Sequence, residues 1–191
     1  MGKPLRSILH MNPNIPIYIG AGTETNTRLC GEVCDGLLPL RFVPSQWSVI
    51  RPWIEEGRRR AGKSLEGFAI QASADVRITD DIPSALRPVK QNVALYVGGM
   101  GHRDKNFHKD MMIRRGYPEA AETIQELFLS GRKAEAVEAV PDEFCDEMGL
   151  FGSPARIRQR YKAWADSGIT ALTVRTDQPE AMELMAELAR D

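Results

Sequence analysis

Short apolar runs alternate along this chain with segments whose apolar residues recur every three or four positions, and no other feature limits the fold as much. The run Ile15-Pro16-Ile17-Tyr18-Ile19-Gly20, set between Asn14 and Gly20-Ala21-Gly22, predicts a buried strand over 15–20. A helix is expected over 23–33, ending near Asp35-Gly36, and Gly36-Leu37-Leu38-Pro39-Leu40 predicts a second short strand. Pro44-Ser45 resembles a helix start, and Trp47, Ile50 and Ile54 carry the helical period toward Ala61-Gly62. Pro52 is expected to kink this helix or mark a late first turn. The third strand is predicted over 68–78. Phe68, Ile70, Ala72, Ala74, Val76 and Ile78 share one parity there, and Gln71, Ser73, Asp75 and Arg77 share the other. Successive side chains of a strand point to opposite faces, so one face is apolar and the other can turn polar groups toward a barrel interior.

A long helical stretch follows, predicted over 84–97, with a break at Gly98-Gly99-Met100-Gly101 and further helices over 118–130, 133–140 and 142–148. Ser153-Pro154 makes a good N-cap and first-turn pair for a helix with Ile157, Tyr161, Trp164 and Ala165 on one face, and Gly168 stops it. The fourth strand is predicted over 169–174 and the last helix over 179–189, with Met182, Met185 and Leu188 inward. The order is β-α-β-α-β, a helical insertion, then α-β-α. Strands separated by helices imply a parallel sheet with right-handed crossovers. No linker or low-complexity tract divides the chain, so residues 1–191 read as one α/β domain or a piece of one.

Composition excludes several classes. With 42% hydrophobic and 27% charged residues the chain is neither disordered nor membrane-embedded, and a net charge of -1 gives no pull toward nucleic acid or anionic lipid. The first residues carry Lys3 and Arg6 without an apolar core, so no signal peptide is read, and Arg6 breaks the myristoylation pattern. A cytoplasmic location is expected. Cys30, Cys34 and Cys145 are an odd, sparse set and read as buried structural thiols. His10, His102 and His108 add no ligand spacing, and no metal site is expected.

The best local signal for chemistry is Gly20-Ala21-Gly22-Thr23, after a strand and opening a helix. Glycines there let backbone approach a phosphate, and the helix N-terminus favours an anion. A full dinucleotide fingerprint needs glycine where Thr25 stands, so a tight strand-to-helix turn is the competing reading. The Gly98–Gly101 break, with His102, Asn106, Phe107 and His108 nearby, reads as a corner between packed helices or a ligand-facing loop. Arg41, Arg77 and Arg175 follow or end the second, third and fourth strands; in a parallel barrel those ends converge, and arginine there can clamp a phosphate or carboxylate. No Ser-His-Asp set, zinc motif or Walker loop is visible, and neither Asp35 nor Asp75 has a partner to nominate it as acid or base.

Four stretches together resemble the luciferase-like monooxygenases. The segment from Gly2-Lys3-Pro4-Leu5 to Tyr18-Ile19-Gly20 resembles the approach to the fifth barrel strand, and Gly31-Glu32-Val33-Cys34-Asp35-Gly36 the passage into the sixth. Leu95-Tyr96-Val97-Gly98-Gly99-Met100-Gly101 with Asn106-Phe107 resembles the coenzyme F420-dependent branch, which includes the methylenetetrahydromethanopterin reductases. Phe151-Gly152-Ser153-Pro154-Ala155-Arg156-Ile157 resembles the start of the last helix before the eighth strand. The resemblance implies a partial TIM (β/α)8 barrel of about four βα units, strands five to eight, with a helical insertion before the last. It further implies hydride transfer with coenzyme F420, or alternatively FMN, whose phosphate-bearing tail would lie at Gly20, Ala21, Gly22 and Thr23. Strands one to four are missing from the match, which would leave the barrel interior unfilled and two sheet edges unpaired. Cover from a second copy or from an N-terminal half is therefore expected. The remaining alternatives are a non-catalytic truncated relative and a small doubly wound NAD(P)-binding protein.

Overall fold

The structure, a computed structural model, describes residue 10 and residues 12–190. The stretch Gly2-Lys3-Pro4-Leu5 lies outside the described residues. Among the described residues there are five parallel strands: β1 (Tyr18–Ala21), β2 (Gly36–Pro39), β3 (Ala69–Ile78), β4 (Gly149–Gly152) and β5 (Ala171–Arg175). Helices α1 (Glu24–Val33) and α2 (Trp47–Arg60) connect the first three strands. The insertion holds α3 (Ile82–Ala94), a π-helical turn at Leu95–Gly99, α4 (Phe107–Arg114), α5 (Pro118–Leu129), α6 (Lys133–Glu138) and α7 (Asp142–Asp146). Helices α8 (Pro154–Ala165) and α9 (Pro179–Leu188) flank β5.

The strands run in chain order across the sheet. Tyr18 pairs with Gly36 and Gly36 with Ala69, so β1, β2 and β3 are successive neighbours. β3 is long enough to serve two further partners: Gln71–Asp75 is in register with Ala171–Arg175, and Asp75–Ile78 with Gly149–Gly152. A doubly wound sheet reverses its order at a switch point. Among the described residues this one shows no such reversal, and it forms the open, singly wound arc of a partial barrel.

Helix packing on one side of the arc explains its stability. Cys30, Cys34, Leu37, Ile54, Phe68 and Ile70 form one buried cluster under α1 and α2, and Phe42, Ala72, Ala74, Val76, Leu150, Ile157 and Trp164 continue it under α8 and α9. The apolar parity of β3 thus faces the helices, as its alternation predicts. The insertion has its own core around Val93, Met112, Ile124, Phe144 and Phe151. Gly98 and Gly99 lie against Phe128, where a Cβ on Gly98 would come within 2.3 Å of the Phe128 Cβ and one on Gly99 within 2.4 Å of the ring; the glycine break is a packed corner.

Several boundaries differ from expectation. β1 starts at Tyr18 rather than Ile15, and the additional strand β4 and helix α4 are not predicted at all. Helix α3 begins at Ile82, where the Asp81 carboxylate accepts from the Ser84 N–H at 3.1 Å, rather than at Ser84. In α8, Ala165 is exposed, while α9 buries Ala181, Leu184 and Met185 and leaves Met182 47% exposed. Among the described residues no helix is long and apolar enough to cross a membrane.

Candidate functional site

Parallel strands present all their C-terminal ends on one side, the place where barrels bind ligands. Here those ends open into a concave cavity of about 1120 Å³. Its floor comes from Gly20, Leu38 and the polar parity of β3, Gln71, Ser73, Asp75 and Arg77, joined by Thr173 and Arg175. The far wall belongs to the insertion, with Asn92, Tyr96 and His108.

Of the seven residues singled out from sequence, Gly20, Arg41, Arg77 and Arg175 line this cavity. Ala21 and Gly22 line a narrower crevice of about 30 Å³, which shares Arg41 with the cavity and includes Arg114 and Arg115. Thr23 lines neither; its hydroxyl accepts from the Asn26 N–H at 3.4 Å and caps α1.

The two glycines have different surroundings. A Cβ on Gly20 would meet nothing nearer than the Leu38 carbonyl oxygen at 4.0 Å, so its backbone is open to a ligand. A Cβ on Gly22 would lie 2.7 Å from the Phe107 ring, so this glycine also lets α4 pack on the turn.

The three arginines differ as sharply. Arg175 grips Asp75 through two hydrogen bonds of 2.9 and 3.1 Å, and Arg77 reaches Asp177 at 3.1 Å. Each already holds a carboxylate in an exposed ion pair. Arg41 has no carboxylate partner among the described residues. Its guanidinium donates to Asn92 Oδ1 at 2.6 Å and lies 5.0 Å from the centre of the Tyr96 ring. Burial, with Arg115 and Arg175 nearby, lowers its pKa from the usual arginine value.

Of the insertion's cavity residues, Asn92 carries no signal in the sequence, while Tyr96 and His108 stand out there only as flanks of the Gly98–Gly101 break. The His108 ring sits edge-on to Tyr96 at 4.6 Å and to Phe107 at 5.1 Å, and its Nδ1 is buried without a partner. Burial and then the Arg41 charge lower its pKa, favouring the neutral imidazole. Cys30, Cys34 and Cys145 are free and buried; burial first pushes the Cys30 and Cys145 thiols up to about 12. No group of three or more potential metal ligands occurs among the described residues.

An open parallel arc with its cavity at the C-terminal strand ends, and a helical insertion before the last strand, defines a barrel-type α/β protein. The sequence profile of the luciferase-like monooxygenases matches residues 3–171, and the chain belongs to that family. It is 38% identical over 191 residues to a Mycobacterium tuberculosis protein assigned by name as a coenzyme F420-dependent oxidoreductase, covering 98% of this chain and 55% of that protein. It is 28% identical over 179 residues to the 5,10-methylenetetrahydromethanopterin reductase of Methanopyrus kandleri, covering 91% of this chain and 49% of that one. The solved structure of the coenzyme F420-dependent tetrahydromethanopterin reductase from that organism superposes with a TM-score of 0.70 at 26% identity, covering 91% of this chain and 50% of that one. The chain thus spans about half the length of the curated relatives it matches.

Proposed function

We propose that this chain is the C-terminal half of an F420-dependent oxidoreductase barrel. The observation that carries the reading is the cavity at the C-terminal strand ends, floored by the open backbone of Gly20 and large enough for a ring system beside a substrate. F420, when bound, supplies a deazaflavin ring that accepts or donates a hydride. Gly20, Ala21, Gly22 and Thr23 would hold its phosphate-bearing tail at the start of α1, where the helix dipole favours negative charge. The insertion wall, Tyr96 and His108 included, screens the chamber from water on one side. FMN is the alternative cofactor.

Titration of F420 with the purified chain, followed by its fluorescence with FMN and NADPH as controls, tests this. Saturable F420 binding is expected. Gly20→Leu should weaken it at least tenfold while leaving the melting temperature nearly unchanged, because a side chain there meets only open space. No binding by the unaltered chain, or equal binding by the Gly20 variant, removes the proposed site.

The open arc supports a second element of the reading. β1 pairs only with β2 among the described residues, and Ile17, Tyr18, Ile19, Leu38 and Leu40 are exposed along that end. Unpaired parallel edges with apolar side chains need cover. We infer that a second copy or an N-terminal half of the barrel provides it. Light scattering of the purified chain should show a dimer or larger species; a monodisperse monomer contradicts cover by a second copy.

A further inference from the structure

Arg41 is in an unusual position for a cavity residue. Its φ of +48° places it in the left-handed region that L side chains rarely adopt. The turn has a visible consequence: Phe42 and Val43 are buried in the cores, while the Arg41 side chain reaches the cavity. Strain of this kind persists where the surrounding structure imposes it, and it clusters at ligand sites. The guanidinium carries five N–H donors. Only the one directed at Asn92 Oδ1 has a hydrogen-bond partner among the described residues, and that partner is neutral. Tyr96 links the group to His108: the Arg41 guanidinium stands 5.0 Å from its ring centre and the His108 ring 4.6 Å from it. His108 lines the same cavity, and its Nδ1 is buried without a partner among the described residues.

An uncompensated cation held in a strained backbone, with a neutral amide and a histidine around it, is suited to one kind of ligand. We propose that Arg41, Asn92 and His108 form an oxyanion subsite for the substrate, so that the molecule oxidised or reduced in this cavity carries a phosphate or carboxylate group. Arg77 and Arg175 are set aside because each already holds a carboxylate, that of Asp177 and Asp75. The inference rests on reading the cavity as the substrate chamber, and its test does not depend on cofactor binding.

Inorganic phosphate is the probe, titrated into the full chain by calorimetry, with the His108 imidazole signals followed by nitrogen–proton NMR. Saturable binding that shifts His108 is expected. Arg41→Gly removes the cation and suits the left-handed backbone, so it should keep or raise the melting temperature while weakening phosphate at least tenfold. Asn92→Asp leaves Arg41 in place but sets a carboxylate against it, and should weaken phosphate to a similar extent. Absence of saturable binding, or binding that survives both substitutions, overturns the proposal. The same variants titrated with F420 separate the two sources of an anion. A cofactor affinity changed less than threefold assigns the subsite to substrate. Parallel loss of F420 and phosphate, with phosphate displacing F420, assigns it to the cofactor tail and overturns the proposal. If F420 does not bind the unaltered chain, the proposed function fails and the phosphate titration alone decides the subsite.

Discussion

Replacing Gly57 with valine is expected to destabilise the chain by about 3 kcal/mol or more, in the upper part of the range for overpacking a close-packed interface. Helices α1 and α2 cross with their backbones in contact. A Cβ on Gly57 would lie 2.0 Å from the Arg28 carbonyl oxygen and 2.8 Å from the Glu32 nitrogen. One on Gly31 would lie 2.6 Å from the Ile54 carbonyl oxygen. These neighbours are backbone, not flexible side-chain ends, so the clash is relieved only by separating the helices. Separation would open the cluster of Cys30, Cys34, Leu37 and Ile54 beneath them. In a chain of this size the loss corresponds to a fall of about 6–12 °C in melting temperature. A thermal scan of Gly57→Val beside Gly62→Val checks the assignment, because Gly62 has open space around it but a positive φ. Gly62→Val should show only the smaller effect of backbone strain. Equal losses would mean that the helix crossing is not what makes Gly57 critical.

Removing Glu147 is expected to do more damage than removing the arginine it pairs with. The Arg115 side chain is 2% exposed, and its guanidinium lies 3.9 Å from the centre of the Phe144 ring. It donates to Glu147 at 2.8 Å and to the Phe144 carbonyl at 3.2 Å, while Nε and Nη1 are buried without partners. Burial lowers its pKa and the Glu147 carboxylate opposes the shift. Glu147→Ala strands a buried cation, which in a fully buried pair costs about 3–5 kcal/mol. Glu147 is 43% exposed, so solvent screening reduces the expected loss to about 2–3 kcal/mol. Arg115→Met removes the charge together with its desolvation penalty and keeps contact with the Phe144 ring, so its effect should be about 1 kcal/mol or less. Denaturant unfolding of both variants measures the difference. A larger loss for Arg115→Met would show that the ion pair and its hydrogen bonds outweigh the desolvation of the guanidinium.

The fold was legible in the sequence wherever its cause is local. Alternating parity placed the apolar side of β3 against the helices and its polar side, Gln71, Ser73, Asp75 and Arg77, in the cavity. The Ser153-Pro154 cap marked the start of α8, and strands separated by helices gave the parallel sheet. Gly149-Leu150-Phe151-Gly152 carries no such signal, since a four-residue stretch with glycine at both ends has little strand propensity. It becomes β4 because the long β3 offers Asp75–Ile78 as a template.

The site shows the same division. Sequence alone brought Gly20, Arg41, Arg77 and Arg175 to the strand ends, because parallel strands must all end on the same side. It could not tell which arginine stays free: Asp75 pairs with Arg175 across 100 residues of chain, and Arg77 finds Asp177 across the same interval. Nor could it separate Gly20, open to the cavity, from Gly57, wedged between helices, since composition is identical and only the neighbours differ. Asn92, Tyr96 and His108 reach the cavity only when the insertion folds over the sheet. Periodicity and turn chemistry act within a few residues and survive in the sequence, whereas charge pairing, steric room and the far wall of a cavity depend on contacts that only the folded chain creates.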